Sequence, residues 1–493
     1  MNASPVAVDE RGSSRLRRLS AALRPLRLGP DVARIVFLWA AWLAVICVFQ
    51  IVVAARLEPQ RPDNVLGWTA GETADAIPAA TGTGCRPLLA DPNMNEHVAF
   101  DSEYYIAIAV AGYDNPDSQA YVYDTTGRGV VNAGVPTCTE HMDGWTPLDY
   151  AFMPGYPTAM AGVMTAGGVV PGPSGLTTTG LATLCGIVVS ALGGLLALLA
   201  LARLMAYLER RRCADTSGDW PSGSAWAGPS GLRAALYLLV FPTGFYLAQV
   251  YSDGLFLGLA FMACALAVEK KIVGAAIFAG FAAITRQVGL FLFLPLAWSA
   301  FEILRDPQTR PSGWRRGVPV IATLVPVAVF AAWFLSPLGQ NWQLVEREFF
   351  ARSFDVPKSI DLWSKAVDSL VSGVDKTAVD RGFGVYGGGA LVSSTSVYIA
   401  LEFLSLALGV TASVWLLWKR MPGVALFGLG VVLLSAGSSG AQGMDRYVLA
   451  VPAIFLMLAW FGRNIVFDRV WVMASTLLMG MLAMLFTFGF WVS

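Results

Sequence analysis

Apolar residues in this chain come in long blocks separated by short polar turns. The runs Ile35–Ala55, Ala182–Leu201, Val318–Leu335 and Trp471–Trp491 are each long enough to cross a hydrocarbon core of about 30 Å. Tight polar turns at Ser252–Asp253, Thr285–Arg286 and Ser438–Arg446 divide the other apolar stretches, and the pattern predicts eleven transmembrane helices. A further apolar run, Phe152 to Val170, contains Pro154, Pro157, Gly162, Gly167 and Gly168, which suits a re-entrant or tilted pair of short helices enclosed in protein. The fold class is therefore an all-α polytopic membrane protein.

Composition strengthens this reading. Of 493 residues, 55% are hydrophobic and 14% charged, and the mean hydropathy is +0.57; soluble domains carry about 25% charged residues. Net charge is zero and no basic stripe appears, which argues against a nucleic-acid partner. Two histidines, His97 and His141, are too few for a bis-histidine haem or a histidine-rich zinc site, and no phosphate-cradling GxxxxGK[ST] occurs.

Charge sets the expected orientation. Residues 1–34 hold seven arginines against three acids and precede the span at 35–56, so they read as the cytoplasmic head of a signal anchor. The region 57–149 has 14 acids against Arg61, Arg86 and Arg128, and suits the outside. Later basic clusters at 210–212, 270–271, 305–316, 419–420 and 463–469 are assigned to the inside, in the plasma (inner) membrane. The chain then divides into a transmembrane core at 150–337 with a cytoplasmic linker at 207–231, a second outer loop at 338–397, and C-terminal spans at 398–493. Cys85 and Cys138 share the first outer loop, where an oxidising compartment would permit a disulfide or leave both thiols free.

Five constellations can carry chemistry. Asp101 opens Asp101-Ser102-Glu103-Tyr104-Tyr105, where it either caps a helix or serves as a general base, with Glu103 in the first turn. Tyr105, Ile108 and Ala109 share one face, which predicts a short amphipathic helix in this loop, lying at the membrane surface. Phe152-Met153-Pro154-Gly155-Tyr156-Pro157 reads as a structural start to an apolar run. Tyr251-Ser252-Asp253 places an acid near the outer end of a span, either functional or solvated in a turn. Arg286, in Thr285-Arg286-Gln287, clamps a phosphate, anchors the interface, or pairs with Asp253. Asp445-Arg446-Tyr447 holds adjacent opposite charges that pair with each other or with partners elsewhere. All five fall on the expected outer face.

In their order along the chain, these elements resemble the phosphatidylinositol-glycan class V (PIG-V) type of mannosyltransferase, within the GT-C glycosyltransferases. That family runs WD(S/A)xWYxxIAxxGY, FFPxYP, P…YS(E/D)xxF, (A/T)-R-x-x-G-L and a late RY. Here the counterparts are Phe100-Asp101 through Gly112-Tyr113, Phe152 to Pro157, Pro242 with Tyr251-Ser252-Asp253-Gly254-Leu255-Phe256, Thr285-Arg286-Gln287-Val288-Gly289-Leu290, and Arg446-Tyr447. Phe100 stands where the family has Trp.

The resemblance implies a GT-C-type fold, a polyprenyl-phosphate-linked sugar donor, most often mannose, and a lipid or glycan acceptor. It implies Asp101 as catalytic base, with Glu103 beside it, and Arg286 and Arg446 at the donor phosphate. Tyr105, Tyr251, Asp253 and Tyr447 would complete the cavity. Asp101 and Glu103 form a DxE-type pair able to hold Mg²⁺ or Mn²⁺; because arginine alone neutralises a monophosphate leaving group, no metal is expected. Competing readings are a flippase for a lipid-linked saccharide, which would show internal symmetry and midplane polar residues, and a non-catalytic scaffold of the cell envelope. Convergence of Asp101, Asp253, Arg286 and Arg446 distinguishes the enzyme from a scaffold.

Overall fold

A computed structural model describes residues 30–57, 95–99, 101–113, 122–124, 129–130, 145–167, 178–215, 228–348, 355–372, 392–439, 443–488 and 492. Cys85, Cys138 and the loop 373–391 lie outside the described residues. Among the described residues the helices are α1 (Pro30–Leu57), α2 (Asp101–Ala111), α3 (Gly155–Ala166), α4 (Thr178–Asp215), α5 (Gly228–Leu239), α6 (Ser252–Val268), α7 (Ile272–Ala283) and α8 (Phe293–Arg305). They continue as α9 (Gly317–Phe334), α10 (Pro337–Glu348), α11 (Val356–Ser372), α12 (Val392–Trp418), α13 (Pro422–Ser439), α14 (Met444–Tyr447), α15 (Pro452–Phe461) and α16 (Ile465–Thr487). A small antiparallel sheet in the first loop, β1 (Val122–Asp124), β2 (Gly129–Val130) and β3 (Trp145–Pro147), is ordered β2-β1-β3, with Tyr123 opposite both Val130 and Thr146.

The fold is that of a polytopic helical membrane protein. Six helical segments among the described residues are individually long and apolar enough to span, in α1, α4, α8, α9, α12 and α16. The segments Met444–Ala450 and Pro452–Phe461, bent by 83° to each other, form a broken span or a re-entrant loop, and α6, α7 and α13 are shorter apolar helices. Phe37 (75% exposed), Ile321 (66%), Leu404 (65%) and Leu477 (69%) point outward, as apolar side chains facing lipid should. Twelve-residue α3 spans only about 18 Å, too short to cross. One short helix is described there, packed along α4.

Two helix hairpins turn on basic residues. Lys270 (φ 61°) and Arg420 (φ 58°) take the left-handed conformation after α6 and α12. Lys271 N–H donates to Leu266 O and Lys270 N–H to Ala267 O; Met421 and Arg420 repeat the pattern on Leu416 and Leu417. These are Schellman turns in which a cation replaces the usual glycine. The backbone cost of about 1 kcal/mol is offset in part by the attraction of a cation to a helix C-terminus.

The closest packing in the bundle brings α4 against α6. A Cβ at Gly254 would collide with Ser190 O, and one at Gly258 with Gly193 O. The Gly254-x3-Gly258 pair thus lets two backbones touch and fixes the depth of the α6 N-terminus, which carries Asp253.

One helix differs in setting from its expectation. α2 forms in the first loop where the pattern put it, yet its buried residues are not confined to one apolar face. Tyr104, Tyr105, Ile106, Ala107 and Ile108 are all buried. Tyr104 stacks on Phe152 at 4.7 Å, and Tyr105 meets Phe152 and Tyr156 edge-on at 5.1 and 4.9 Å. The aromatic start of α3 covers the face that would otherwise meet water.

Candidate functional site

Asp253 occupies the first turn of α6, where the helix dipole favours an anion. Its side chain is 1% exposed and held by two guanidinium groups. Arg286 Nη1 donates to Oδ1 in a short contact. Arg446 Nε donates to Oδ2 at 3.0 Å, with Arg446 Nη2 also 3.0 Å away. Arg446 Nη1 then donates to Asp101 Oδ2 at 2.8 Å. Asp101, Arg446, Asp253 and Arg286 therefore form one chain of alternating charge, with equal numbers of each sign. Burial makes such an arrangement tolerable only when it is fully paired.

Aromatic rings enclose it. The Arg446 guanidinium lies 4.4 Å from the Tyr251 ring centroid and 5.1 Å from that of Tyr246. Arg286 lies 5.5 Å from Tyr447 and 6.0 Å from Phe256. Tyr105 donates its hydroxyl to Ser252 Oγ at 3.0 Å, and Tyr251 donates to Ala99 O at 3.0 Å, which ties the approach to α2 against α6. In the loop helix α2, outside the spans, burial followed by the nearby Asp101 carboxylate pushes the Tyr105 hydroxyl pKa up, so Tyr105 acts as a neutral donor.

Each charged group is set by local backbone. Arg286 sits in an extended residue between α7 and a 3-10 turn at Gln287–Leu292. Gly155 N–H donates to Ile284 O at 2.9 Å, and a Cβ at Gly155 would come 2.6 Å from Thr285 Oγ1. The Met153-Pro154-Gly155-Tyr156 element is thus a backbone brace for Arg286, and glycine is what allows it. Asp445 does not pair with the Arg446 side chain. Its Oδ1 accepts from the Arg446 backbone N–H at 2.9 Å, and its carbonyl accepts from Thr243 Oγ1 at 3.0 Å.

Glu402 was missed in the sequence reading. Fully buried in α12, it accepts from Gly443 N–H at 2.8 Å and Met444 N–H at 2.6 Å, gripping the start of the short helix that presents Arg446. The available signal was an acid inside an otherwise apolar span. A second buried group, Gln249, donates to Gln50 Oε1 at 2.8 Å and accepts at 3.2 Å from His97 Nδ1, in the tautomer protonated there. It joins α1 to the loop that leads to Asp101. Burial pushes the His97 pKa down, which keeps this ring neutral.

Of the residues singled out from sequence, Asp101, Tyr105, Tyr251, Asp253, Arg286, Arg446 and Tyr447 come together. Glu103 lies on α2, but its side chain is outside the described residues. The donor set fits a divalent cation poorly, because Asp253 and Asp101 already face guanidinium groups. Among the described residues no group of three His, Cys, Asp or Glu side chains is placed to hold a metal ion. Asp101 is the most open member, at 23% side-chain exposure against 1% for Asp253, 10% for Arg446 and 14% for Arg286. Its Oδ1 has no hydrogen-bond partner among the described residues.

No family model and no curated protein matches this chain. Among solved structures it is similar to the oligosaccharyltransferase of Archaeoglobus fulgidus, crystallised with zinc and sulfate, at 13% identity and a TM-score of 0.35. The alignment covers 91% of this chain and 53% of that one, so this chain spans about half the length of the neighbour. Likeness at this level decides neither fold family nor activity.

Proposed function

We propose that this protein is a GT-C-type membrane glycosyltransferase that moves a sugar, mannose on the resemblance above, from a polyprenyl-phosphate donor to a hydroxyl of a lipid or glycan acceptor on the outer face. The observation that carries this reading is the joining of Asp101, Asp253, Arg286 and Arg446 into one network from four distant segments. A scaffold needs no such convergence, and a flippase would place polar groups at the midplane.

The reaction is a single inverting displacement. The acceptor oxygen attacks the anomeric carbon as the bond from that carbon to the phosphate oxygen breaks. Asp101 takes the hydroxyl proton on Oδ1 while Arg446 holds Oδ2. Arg446, engaged through all three nitrogens, contributes positive charge and the aim of the base. Arg286, bound to Asp253 through Nη1, offers its other N–H donors to the departing phosphate. Glu103 follows the base two residues later on the same helix.

The test is transfer of radiolabelled mannose from polyprenyl-phosphate-mannose in liposomes. Wild type is expected to transfer, and Asp101→Asn to lose about 10²–10⁴-fold while keeping its thermal unfolding profile. Full transfer by a folded Asp101→Asn would remove Asp101 as the base. Absence of transfer by wild type with a panel of polyprenyl-phosphate sugars would sink the enzyme reading.

A further inference from the structure

The end of the bundle opposite this network carries a cluster that the proposed reaction does not use. Three cations gather around one indole. The Arg463 guanidinium lies 3.9 Å from the Trp460 ring centroid, Lys419 Nζ 4.2 Å and the Arg212 guanidinium 5.2 Å. They arrive from separate elements: the last turns of α4, the α12–α13 hairpin, and the turn after α15. An aromatic face attracts each cation but does nothing about the repulsion among them.

The segments that meet here, 209–212, 419–420 and 463, hold six bases and one acid, and one further carboxylate, Glu302, reaches Arg211 at 3.8 Å. The acid within these segments, Glu209, accepts from Arg463 Nη2 at 2.9 Å. Trp418 is 78% exposed beside Lys419, at the end of a helix whose Leu404 also points outward. An exposed indole at the end of an apolar helix marks the level where acyl chains give way to headgroups. Basic pockets between helix ends at that level suit anionic headgroups.

We propose that Arg212, Lys419 and Arg463, arranged around Trp460, bind the phosphate headgroup of an anionic phospholipid in the leaflet opposite the carboxylate network. The guanidinium forks supply paired donors for phosphate oxygens, and the ammonium supplies a point charge. Trp418 would lie against the acyl chains. The inference is independent of the reaction assigned to the other end.

The experiment uses the full chain purified in detergent, with lipid retention followed by native mass spectrometry and stability by thermal shift. The probes are dioleoyl-phosphatidylglycerol, dioleoyl-phosphatidylcholine and inorganic phosphate. Wild type is expected to retain phosphatidylglycerol over phosphatidylcholine and to show no shift with phosphate alone. Retention should fall about fivefold per charge removed, and so about 100-fold in R212Q/K419Q/R463Q. Equal retention of the two lipids, an unchanged triple variant, or a shift reproduced by inorganic phosphate would each overturn the proposal. If the triple variant does not fold, K419Q alone decides: weaker retention by about fivefold supports the site, and unchanged retention ends it.

Discussion

The two ends of this bundle use charge in opposite ways. At one end Asp101, Arg446, Asp253 and Arg286 are linked through few, largely enclosed side chains, and each depends on the next. At the other end the pairs are more open and not joined into one chain of alternating charge: Lys270 with Asp306 at 3.5 Å, Arg211 with Glu302 at 3.8 Å, and Arg463 with Glu209 at 2.9 Å. Exposed pairs of this second kind contribute about 0–1 kcal/mol. Breaking a buried pair from one side costs about 3–5 kcal/mol, because the remaining charge is left in a low-dielectric setting. Abundance of charge therefore marks which end is which, whereas scarcity and burial mark where chemistry is possible.

The sharpest way to break the comparison is to remove its centre. Asp253→Ala leaves two guanidinium groups facing each other, and is expected to lower stability by about 3–5 kcal/mol and to abolish transfer. A folded Asp253→Ala with normal thermal unfolding would show that the network is not structurally interdependent. Next in size, Gly155→Ala forces a Cβ against Thr285 and Ile284. Overpacking of that kind costs about 1–3 kcal/mol, read by thermal unfolding, and should weaken donor binding through Arg286.

Glu402→Gln keeps the shape of the side chain but loses the charge and one of the two acceptor oxygens on the Gly443–Met444 turn. The expected loss is about 1–3 kcal/mol, with a fall in transfer of about 10²-fold from a misplaced Arg446. Unaltered turnover would remove Glu402 as a positioning residue. The smallest effect is expected at the opposite end, where Lys270→Gln should cost no more than about 1 kcal/mol and leave the transfer rate unchanged. A large loss there would mean that the two ends are not distinct in kind.

Much of this was legible from residue order. Long apolar runs located the segments that became α1, α4, α9 and α16, because a span must satisfy its backbone internally and so reads as one uninterrupted block. The basic clusters around 211, 270, 305, 420 and 463 do gather at one end, through Arg211 on the Arg420 carbonyl, Lys270 on Asp306 and Arg463 on Glu209. Asp101, Asp253, Arg286 and Arg446 stood out because ionisable groups in apolar surroundings are costly. The same reasoning, applied to 398–418, would also have reached Glu402.

Other features had no local signature. Among the alternatives open for Arg286, pairing with Asp253 is the one the fold adopts, and for Arg446 the partners lie 193 and 345 residues away in sequence. The aromatic residues of α2 suit a membrane surface by sequence, whereas in the fold Phe152 and Tyr156 pack on them. Phe152 to Pro157 reads from sequence only as the start of an apolar run, and the need for glycine at 155 comes from the Ile284 carbonyl. Sequence by itself determined the environment of this protein, its helical segments and which of its charges are exceptional, since those follow from each residue's own solvation. Which charge meets which, and which carboxylate stays open, was decided only by tertiary packing, because a buried ion pair is a property of two surfaces brought together.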